Sequence, residues 1–555
     1  MPLIGRLLSG LRRGPTRQGR DGAAPVAPTG SAADAIAAHY HAAQRAIDGG
    51  DIASAIAPLR AILAAQGPSP EVHCNLGVAL RAAGELDEAA YHLHEAGRLR
   101  PTLAAAWYNL GLLEFDRARY AEAEQAYRNA IAAEPTVDAW QHSLLCLLNY
   151  APGHDRRDVF EAHAAWGRRF PAPRDVHTSR GRPRDAARLR VGYVSADFRG
   201  HSVAYFIGPV LQNHDRRRFE IFCYDNWAKP DDVTARLRNY VDHWQPVHAL
   251  DDDAMERRIR DDRIDVLVDL SGHTQGHRLP VFARKPAPVQ ATWIGYPQTT
   301  GLAAIDYRIT DRYLDPPGET DAYGSERLWR LPECAFCFVP PEDAPRPGMP
   351  PCTAGDAVTF GSINHYFKVT DAVVLVWARI LAALREPRLR IVVEHGERSA
   401  VAESVRTRFS EHGVAPERVD VQGRTGLAGF FGLLGEIDIA LDPFPYNGGT
   451  STHLSLWAGV PVVTLAGSSA MARSGVMILS ALGLTDLVAA NADEYVAIAT
   501  RLARDPRRLS DLRSGLRDRY RASPLYAAER FTRRLEDAYD AMWQAYCDRE
   551  QTGIQ

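Results

Sequence analysis

Two apolar periodicities divide this chain. As far as about residue 150, small and apolar residues recur at helical spacing, and the same residue types return at a fixed interval. Leu76 and Leu110, Gly77 and Gly111, Ala89 and Ala123, Ala96 and Ala130, and Pro101 and Pro135 are each 34 residues apart. A looser copy covers Ile36 to Pro70, with Ala55 again 34 residues before Ala89, and Leu144 opens a partial further copy 34 residues after Leu110. A repeat of this length, with small residues where two helices touch and proline at the turn to the next pair, predicts an all-α solenoid of about three repeats plus a cap over residues 31–150. Beyond it, "APGHDRRDVF" and "FPAPRDVHTSRGRPRDAAR" are rich in Pro, Arg and Asp around one short helical stretch, and residues 151–187 read as a connector.

From residue 188 the pattern changes to short apolar runs, bounded by turn residues and alternating with helical stretches. This is the signature of parallel sheet with crossover helices. Strands are predicted at Leu189 to Val194, Phe219 to Tyr224, Val266 to Leu270 and Ala291 to Ile294, and again at Val358 to Gly361, Leu389 to Val393, Ile437 to Leu441 and Val460 to Leu465. The Pro-rich "CFVPPEDAPRPGMPP" separates the two sets. The expected fold is therefore α/β, with two Rossmann-like lobes facing a cleft: residues 188–340, a linker at 341–355, and residues 356–547. Ligands are expected at the carboxyl ends of the strands. Phe531, Leu535, Tyr539, Met542 and Tyr546 lie at helical spacing and predict a packed final helix.

Composition adds limits rather than chemistry. The chain has 555 residues, 46% hydrophobic and 24% charged, with a formal net charge of −3, so it has the material for large cores and offers no bulk electrostatic footprint for nucleic acid or a membrane surface. Seven cysteines are too few for a disulfide scaffold, which fits a reducing cytoplasm. Cys334 and Cys337 form a C-x-x-C pair without a second pair at zinc spacing, and their neighbours Phe336 and Phe338 suggest core. No apolar run approaches membrane-spanning length, so a soluble protein is expected. Residues 1–30 carry Arg6, Arg12, Arg13, Arg17 and Arg20 without an acid before Arg20, and read as a disordered basic arm, with an Arg-rich transit segment as the alternative.

The phosphate-loop, G-x-G-x-x-G and H-E-x-x-H signatures are missing. Asp251 to Asp253 precede a charged helical stretch and read as a helix N-terminus rather than a metal motif. The informative segment is "LDPFPYNGGTSTHLSLWAGVPVVT": a strand, a Gly-Gly-hydroxyl turn, a helix and another strand. Gly448 and Gly449 permit close approach of the main chain, Thr450, Ser451 and Thr452 bring hydroxyls, and a helix N-terminus favours an anion such as a diphosphate. An ordinary capped turn has the same appearance. In "FGSINHYFKVT", Lys368 follows a strand within a polar turn containing Asn364 and His365, where an ammonium would stabilise a departing phosphate oxygen. His201, just past the first strand in "SADFRGHSVAYF", is placed as a general base or acceptor-orienting group, with helix capping as the alternative.

The 34-residue period resembles the tetratricopeptide repeat. Together with it, "RLRVGYVSADFRGHS", "IDVLVDLSGHTQG", "PAPVQATWIGYPQTTG", "DYRITD", "FGSINHYFK" and the Gly-Gly-Thr segment resemble the protein O-linked N-acetylglucosamine transferases and their relatives, the SPINDLY-type protein O-fucosyltransferases, over about residues 35–545. The resemblance implies a two-lobed GT-B-type fold and an inverting transferase without a metal or other cofactor. Its co-substrate would be a nucleotide sugar, UDP-N-acetylglucosamine or GDP-fucose. Protein or peptide acceptors would be held by the repeats, which could instead pack or dimerise into a homo-oligomer. Lys368 matches the family's essential lysine, and His201 a histidine proposed as base. His273, Thr274, Tyr296 and Pro297 fall on the acceptor side. The sequence also departs from the family: Leu454 stands where a carboxylate holds the ribose hydroxyls, Phe430 where a histidine contacts the base, and His365 where the N-acetylglucosamine enzymes have glutamine. Arg473 resembles the N-acetylglucosamine branch, while "HSVAYFI" and "YRITDRYLDPP" resemble the fucosyl branch. The leading expectation is N-acetylglucosamine transfer to Ser or Thr. Fucosyl transfer, a repeat scaffold with degenerate lobes and glycosylation of a small molecule or peptide are the alternatives.

Overall fold

The computed structural model describes residues 30–171, 188–341, 344–354, 357–394, 396 and 399–552. Residues 1–29 of the expected basic arm and residues 172–187 of the expected connector lie outside them. The chain divides into two compact units. The first holds the described residues up to Leu147 together with Val393–Arg408 and Val421–Arg424, and the second holds the rest.

Helices Gly30–Asp48, Ile56–Gln66, Pro70–Ala83, Leu86–Leu99, Ala104–Asp116, Tyr120–Ala133 and Asp138–Leu148 follow one another along the solenoid segment. The repeat has a steric origin. A Cβ on Gly77 would lie 2.5 Å from the Leu93 side chain, and a Cβ on Gly111 would lie 2.5 Å from Tyr127. Each glycine thus makes room for a buried side chain of the next helix, at equivalent places one repeat apart. The prolines recur in the same way: the Trp107 indole N–H donates to the Pro101 carbonyl at 2.9 Å, and the Gln141 amide donates to Pro135 at 3.1 Å.

After the solenoid segment the chain forms two parallel sheets. The first contains β1 (Leu189–Ser195), β2 (Phe219–Asp225), β3 (His243–Pro246), β4 (Val266–Asp269), β5 (Val289–Thr292), β6 (Tyr307–Asp311) and β7 (Arg327–Leu331), ordered β3-β2-β1-β4-β5-β6-β7. The second contains β8 (Thr359–Ser362), β9 (Arg388–Val393), β10 (Val419–Gly423), β11 (Ile439–Leu441), β12 (Val462–Leu465) and β13 (Val488–Ala489), ordered β10-β9-β8-β11-β12-β13. Strand order reverses between β1 and β4 and between β8 and β11. A doubly wound sheet opens a crevice at such a switch point, at the carboxyl ends of the strands.

Five of these strands lack the expected apolar run: β3, β6, β7, β10 and β13. Four are sheet edges, where one side faces no partner strand and a continuous apolar run is not required. The interior exception, β6, reads Tyr-Arg-Ile-Thr-Asp. It is buried because Arg308 forms a two-pronged ion pair with Asp315 at 2.9 Å on both prongs. Expected strand Ala291 to Ile294 is shifted to Val289–Thr292, since Ile294 takes a positive φ of 68° and leaves the strand.

The short helical stretch inside the expected connector, Arg156–Gly167, is built onto the first lobe. A Cβ on Gly301 would sit 2.0 Å from the His163 carbonyl oxygen, so the two backbones touch. Among the described linker residues only the turn Pro351–Ala354 is regular. Buried Arg513 and Arg517, on helix Pro506–Arg521, donate to the linker carbonyls of Gly348 and Pro345. The final helix, Ala528–Thr552, buries the five expected residues and returns to the first lobe, where Glu536 accepts from His214 Nδ1 at 3.0 Å. Cys334 and Cys337 are buried free thiols beside buried Phe336 and Phe338. Asp251 caps helix Asp252–Asp261 by accepting from the Ala254 amide at 2.7 Å.

Candidate active site

The switch point of the second sheet brings two distant segments together. After β8 the chain passes Asn364 and His365 into the turn Tyr366–Lys368. After β11 it passes Asp442, Tyr446 and Asn447 into Gly448, Gly449 and helix Thr450–Trp457. Ser362, Asn364, Asp442, Ser451 and Thr452 line a crevice there. The half-buried Lys368 ammonium donates to the Asn447 carbonyl at 2.8 Å. Asp442 is buried and accepts from the Gly448 amide at 2.6 Å and the Thr464 hydroxyl at 2.7 Å. Burial pushes the lysine pKa down and the carboxyl pKa up, and the attraction between the two opposes both shifts. The outcome is a desolvated ammonium whose charge is only partly compensated.

The two glycines of the turn have different reasons to be there. A Cβ on Gly448 would lie 2.5 Å from Thr452 Oγ1, 2.6 Å from Ser451 Oγ and 3.0 Å from Asp442 Oδ1, whereas a Cβ on Gly449 meets nothing within 4 Å. Gly448 is demanded by packing and Gly449 borders open space. Ser451 Oγ donates to Asn364 Oδ1 at 2.8 Å and joins the two segments. Among the described residues, the Thr450 and Thr452 hydroxyls make no hydrogen bond, so they remain donors at a helix N-terminus.

The other expected donor-side residues are dispersed. His365 is exposed and stacks on Phe367 with ring centroids 4.7 Å apart. Phe430 is half-buried on helix Leu427–Gly435, edge-on to Phe431. Leu454 is buried, and His453 beside it accepts or donates a 2.7 Å hydrogen bond with the Tyr520 hydroxyl. Arg473 donates to the carbonyls of Tyr313 at 2.6 Å and Gly467 at 3.1 Å. Its guanidinium therefore joins the two lobes, and burial lowers its pKa.

In the first lobe, His201 follows β1. Its Nδ1 accepts from the Val203 amide at 3.3 Å and lies 3.5 Å from Asp197 Oδ1. When the amide donates to Nδ1, the neutral ring carries its proton on Nε2 and presents a donor, the property of an orienter rather than a base. Burial lowers the ring's pKa while Asp197 raises it. The acceptor-side group is turned inward at two of its four positions. His273 Nε2 donates to the Thr300 carbonyl at 2.8 Å, and its ring packs against Trp166. The Tyr296 hydroxyl is 2.7 Å from both Asn149 Nδ2 and His163 Nε2. Since His163 Nδ1 is 2.6 Å from the Val159 carbonyl, the tautomer is fixed: Asn149 donates to Tyr296, which donates to His163. His273 and Tyr296 thus dock helix Arg156–Gly167. Thr274, which donates to the Ser271 carbonyl at 2.7 Å, and Pro297 are half-buried.

The sequence reading did not single out Asp442, Asn447, Tyr446 or Tyr150. A carboxylate directly after a strand at a switch point was the available signal for Asp442. The others depend on contacts between distant segments. Among the described residues no group of three or more His, Cys, Asp or Glu side chains is placed to hold a metal ion.

Two parallel doubly wound lobes after a helical-repeat segment, with an ammonium and a Gly-Gly-hydroxyl helix N-terminus at one switch point, define a GT-B-type architecture. The sequence profile of glycosyl transferase family 41 matches residues 172–339 and 351–535, and the chain belongs to that family. It is similar to a protein of Oryza sativa subsp. japonica named probable UDP-N-acetylglucosamine-peptide N-acetylglucosaminyltransferase SPINDLY, at 40% identity over 435 residues, which is 76% of this chain and 46% of the relative. A second relative, from Arabidopsis thaliana and named probable UDP-N-acetylglucosamine-peptide N-acetylglucosaminyltransferase SEC, is 31% identical over 66% of this chain and 38% of its own length. The chain spans less than half the length of these curated relatives. A solved structure of a mutant O-GlcNAc transferase from Thermobaculum terrenum superposes with a TM-score of 0.83 at 34% identity, covering 94% of this chain and 99% of that one. No described helix is long and apolar enough to cross a membrane.

Proposed function

We propose that the protein transfers N-acetylglucosamine from UDP-N-acetylglucosamine to Ser or Thr hydroxyls of proteins, with inversion and without a metal. The observation that carries this reading is the Lys368 ammonium held beside the Gly448–Thr452 turn at the switch point of the second sheet. The acceptor oxygen attacks the anomeric carbon from the face opposite the nucleotide. As the bond from that carbon to the diphosphate oxygen breaks, Lys368, the Thr450 and Thr452 hydroxyls and the helix N-terminus stabilise the developing charge. The acceptor proton leaves to a phosphate oxygen of the donor or to a base, with His201 orienting the hydroxyl through Nε2–H. The family relatives named as peptide N-acetylglucosaminyltransferases support protein acceptors, and the helical repeats supply a surface for an extended chain.

GDP-fucose is the second donor reading, favoured by "HSVAYFI" and "YRITDRYLDPP", which resemble the fucosyl branch, whereas the buried Leu454 and the half-buried Phe430 motivate a repeat scaffold with degenerate lobes. Thermal-shift titration against UDP, GDP, UDP-N-acetylglucosamine and GDP-fucose separates the two, because a ligand that binds only the folded state raises its apparent stability. The expected result is stabilisation by the uridine nucleotides, followed by sugar transfer to peptide. A selective guanosine response would replace the donor, and no response to either would leave a repeat scaffold with degenerate lobes.

A further inference from the structure

We infer that Tyr446, stacked on Tyr150, is a positioning residue that holds the Lys368 ammonium where the diphosphate charge develops; the inference rests on the transferase reading above. Lys368 Nζ lies 4.4 Å from the centroid of the Tyr446 ring and 2.8 Å from the carbonyl oxygen of the adjoining Asn447. The Tyr446 ring is in turn nearly parallel to that of Tyr150, at 4.2 Å between centroids and 4° between planes. Phe367 meets Tyr150 edge-on at 5.4 Å, and His365 stacks on Phe367. The ammonium thus stands at one end of a row of four rings.

This arrangement suits a lysine that must receive an anion. A four-carbon stem is flexible, and a half-buried ammonium needs groups that fix it without cancelling it. An aromatic face attracts a cation through its quadrupole while carrying no net charge. A carboxylate at the same place would compete with the diphosphate. Asp442, the charged group that acts on this ammonium among the described residues, is already engaged by the Gly448 amide and the Thr464 hydroxyl. Tyr446 also lies in the turn that leads to Gly448 and the helix N-terminus, so the ring is carried on the same short segment as the N–H groups of that N-terminus. Stacking on Tyr150 removes rotamer freedom that the Tyr446 ring would otherwise have. Interactions made with the ammonium as charge develops are felt in kcat more than in KM.

The test uses the full chain as wild type, Tyr446→Phe, Tyr446→Leu and Tyr150→Leu, with thermal melting to establish that each folds. Leucine keeps the apolar bulk and removes the aromatic face; phenylalanine keeps the face. Transfer from the nucleotide sugar is measured from neutral to alkaline pH, and the ionisation of Lys368 is read independently by competitive acylation of its amine and mass spectrometry. Tyr446→Leu is expected to lower kcat about tenfold with KM changed less than about twofold, and to move both the alkaline limb of kcat and the Lys368 titration to lower pH. Tyr446→Phe is expected to behave as wild type, and Tyr150→Leu to fall between them. A folded Tyr446→Leu protein with wild-type kcat and wild-type Lys368 titration overturns the proposal, as does a Phe variant as impaired as Leu. If the wild type transfers no sugar, the transferase reading fails, and the acylation profile alone decides the role of the ring: an unshifted Lys368 in Tyr446→Leu overturns it and a shift to lower pH supports it.

Discussion

At the residue scale, the site is a set of charges and hydroxyls whose neighbours set their chemistry. Lys368 keeps an under-compensated ammonium because Asp442, its charged neighbour among the described residues, is shared with the Gly448 amide and the Thr464 hydroxyl. Replacing Lys368 with Ala is expected to lower transfer by more than about a hundredfold, the scale on which a preorganised charge-stabilising group acts. Full activity of that variant in the transfer assay would sink the mechanism. The two glycines offer a sharper contrast. Gly448→Ala forces a methyl group to within 3.0 Å of three oxygens, while the corresponding methyl of Gly449→Ala points into open space. Nucleotide affinity, measured by calorimetry, should therefore fall much further for Gly448→Ala than for Gly449→Ala; equal losses would mean that the turn is not held as described.

At the scale of elements, helix Arg156–Gly167 is joined to the first lobe by a buried relay from Asn149 through Tyr296 to His163, and by backbone contact at Gly301. His163 is fully buried and its pKa is pushed from 6.5 to about 4 by loss of hydration. The folded-state pKa is the lower one, so the unfolded chain binds the extra proton first. Stability is unaffected above about pH 6.5 and is lost as the pH falls from there toward 4, by on the order of 3 kcal/mol for this one ring. Denaturant unfolding at neutral and mildly acidic pH should show this loss in the wild type and a smaller one in His163→Gln. An unchanged acid response in the variant would show that the relay does not report on His163. His273 and Tyr296 are expected on the acceptor side because "SGHTQG" and "WIGYPQTTG" resemble the family segments that shape it. Sequence indicates the loop they occupy but not the direction in which their side chains turn.

At the scale of the molecule, the repeats and the lobes divide the proposed activity. Removing residues up to Leu147 retains Tyr150 and both sheets, and is expected to leave the nucleotide-induced thermal shift in place while lowering transfer to protein acceptors by about tenfold or more, since an extended partner then loses its holding surface. If transfer to protein is unchanged, the repeats do not deliver the acceptor, and a small-molecule or short-peptide acceptor becomes the better reading. The C-terminal helix Ala528–Thr552 ties the two lobes at His214 and Tyr193, so this comparison keeps the lobe arrangement intact.

What the sequence determined by itself is what repeats or runs locally. The 34-residue interval, the central apolar strands and the Gly-Gly-hydroxyl turn before a helix are each short-range patterns set by backbone geometry, and all three were legible before any contact was known. Edge strands such as β3 and β7 were not legible, because one side of an edge strand carries no ladder and its residues are free to be polar. Only the tertiary structure decided that Lys368 reaches Asn447 and Asp442 across nearly eighty residues, that Arg473 binds lobe to lobe through Tyr313, and that Tyr446 meets Tyr150. Burial is the physical reason: the charge a lysine keeps, the tautomer a histidine takes and the face a ring presents depend on which distant groups exclude water from it.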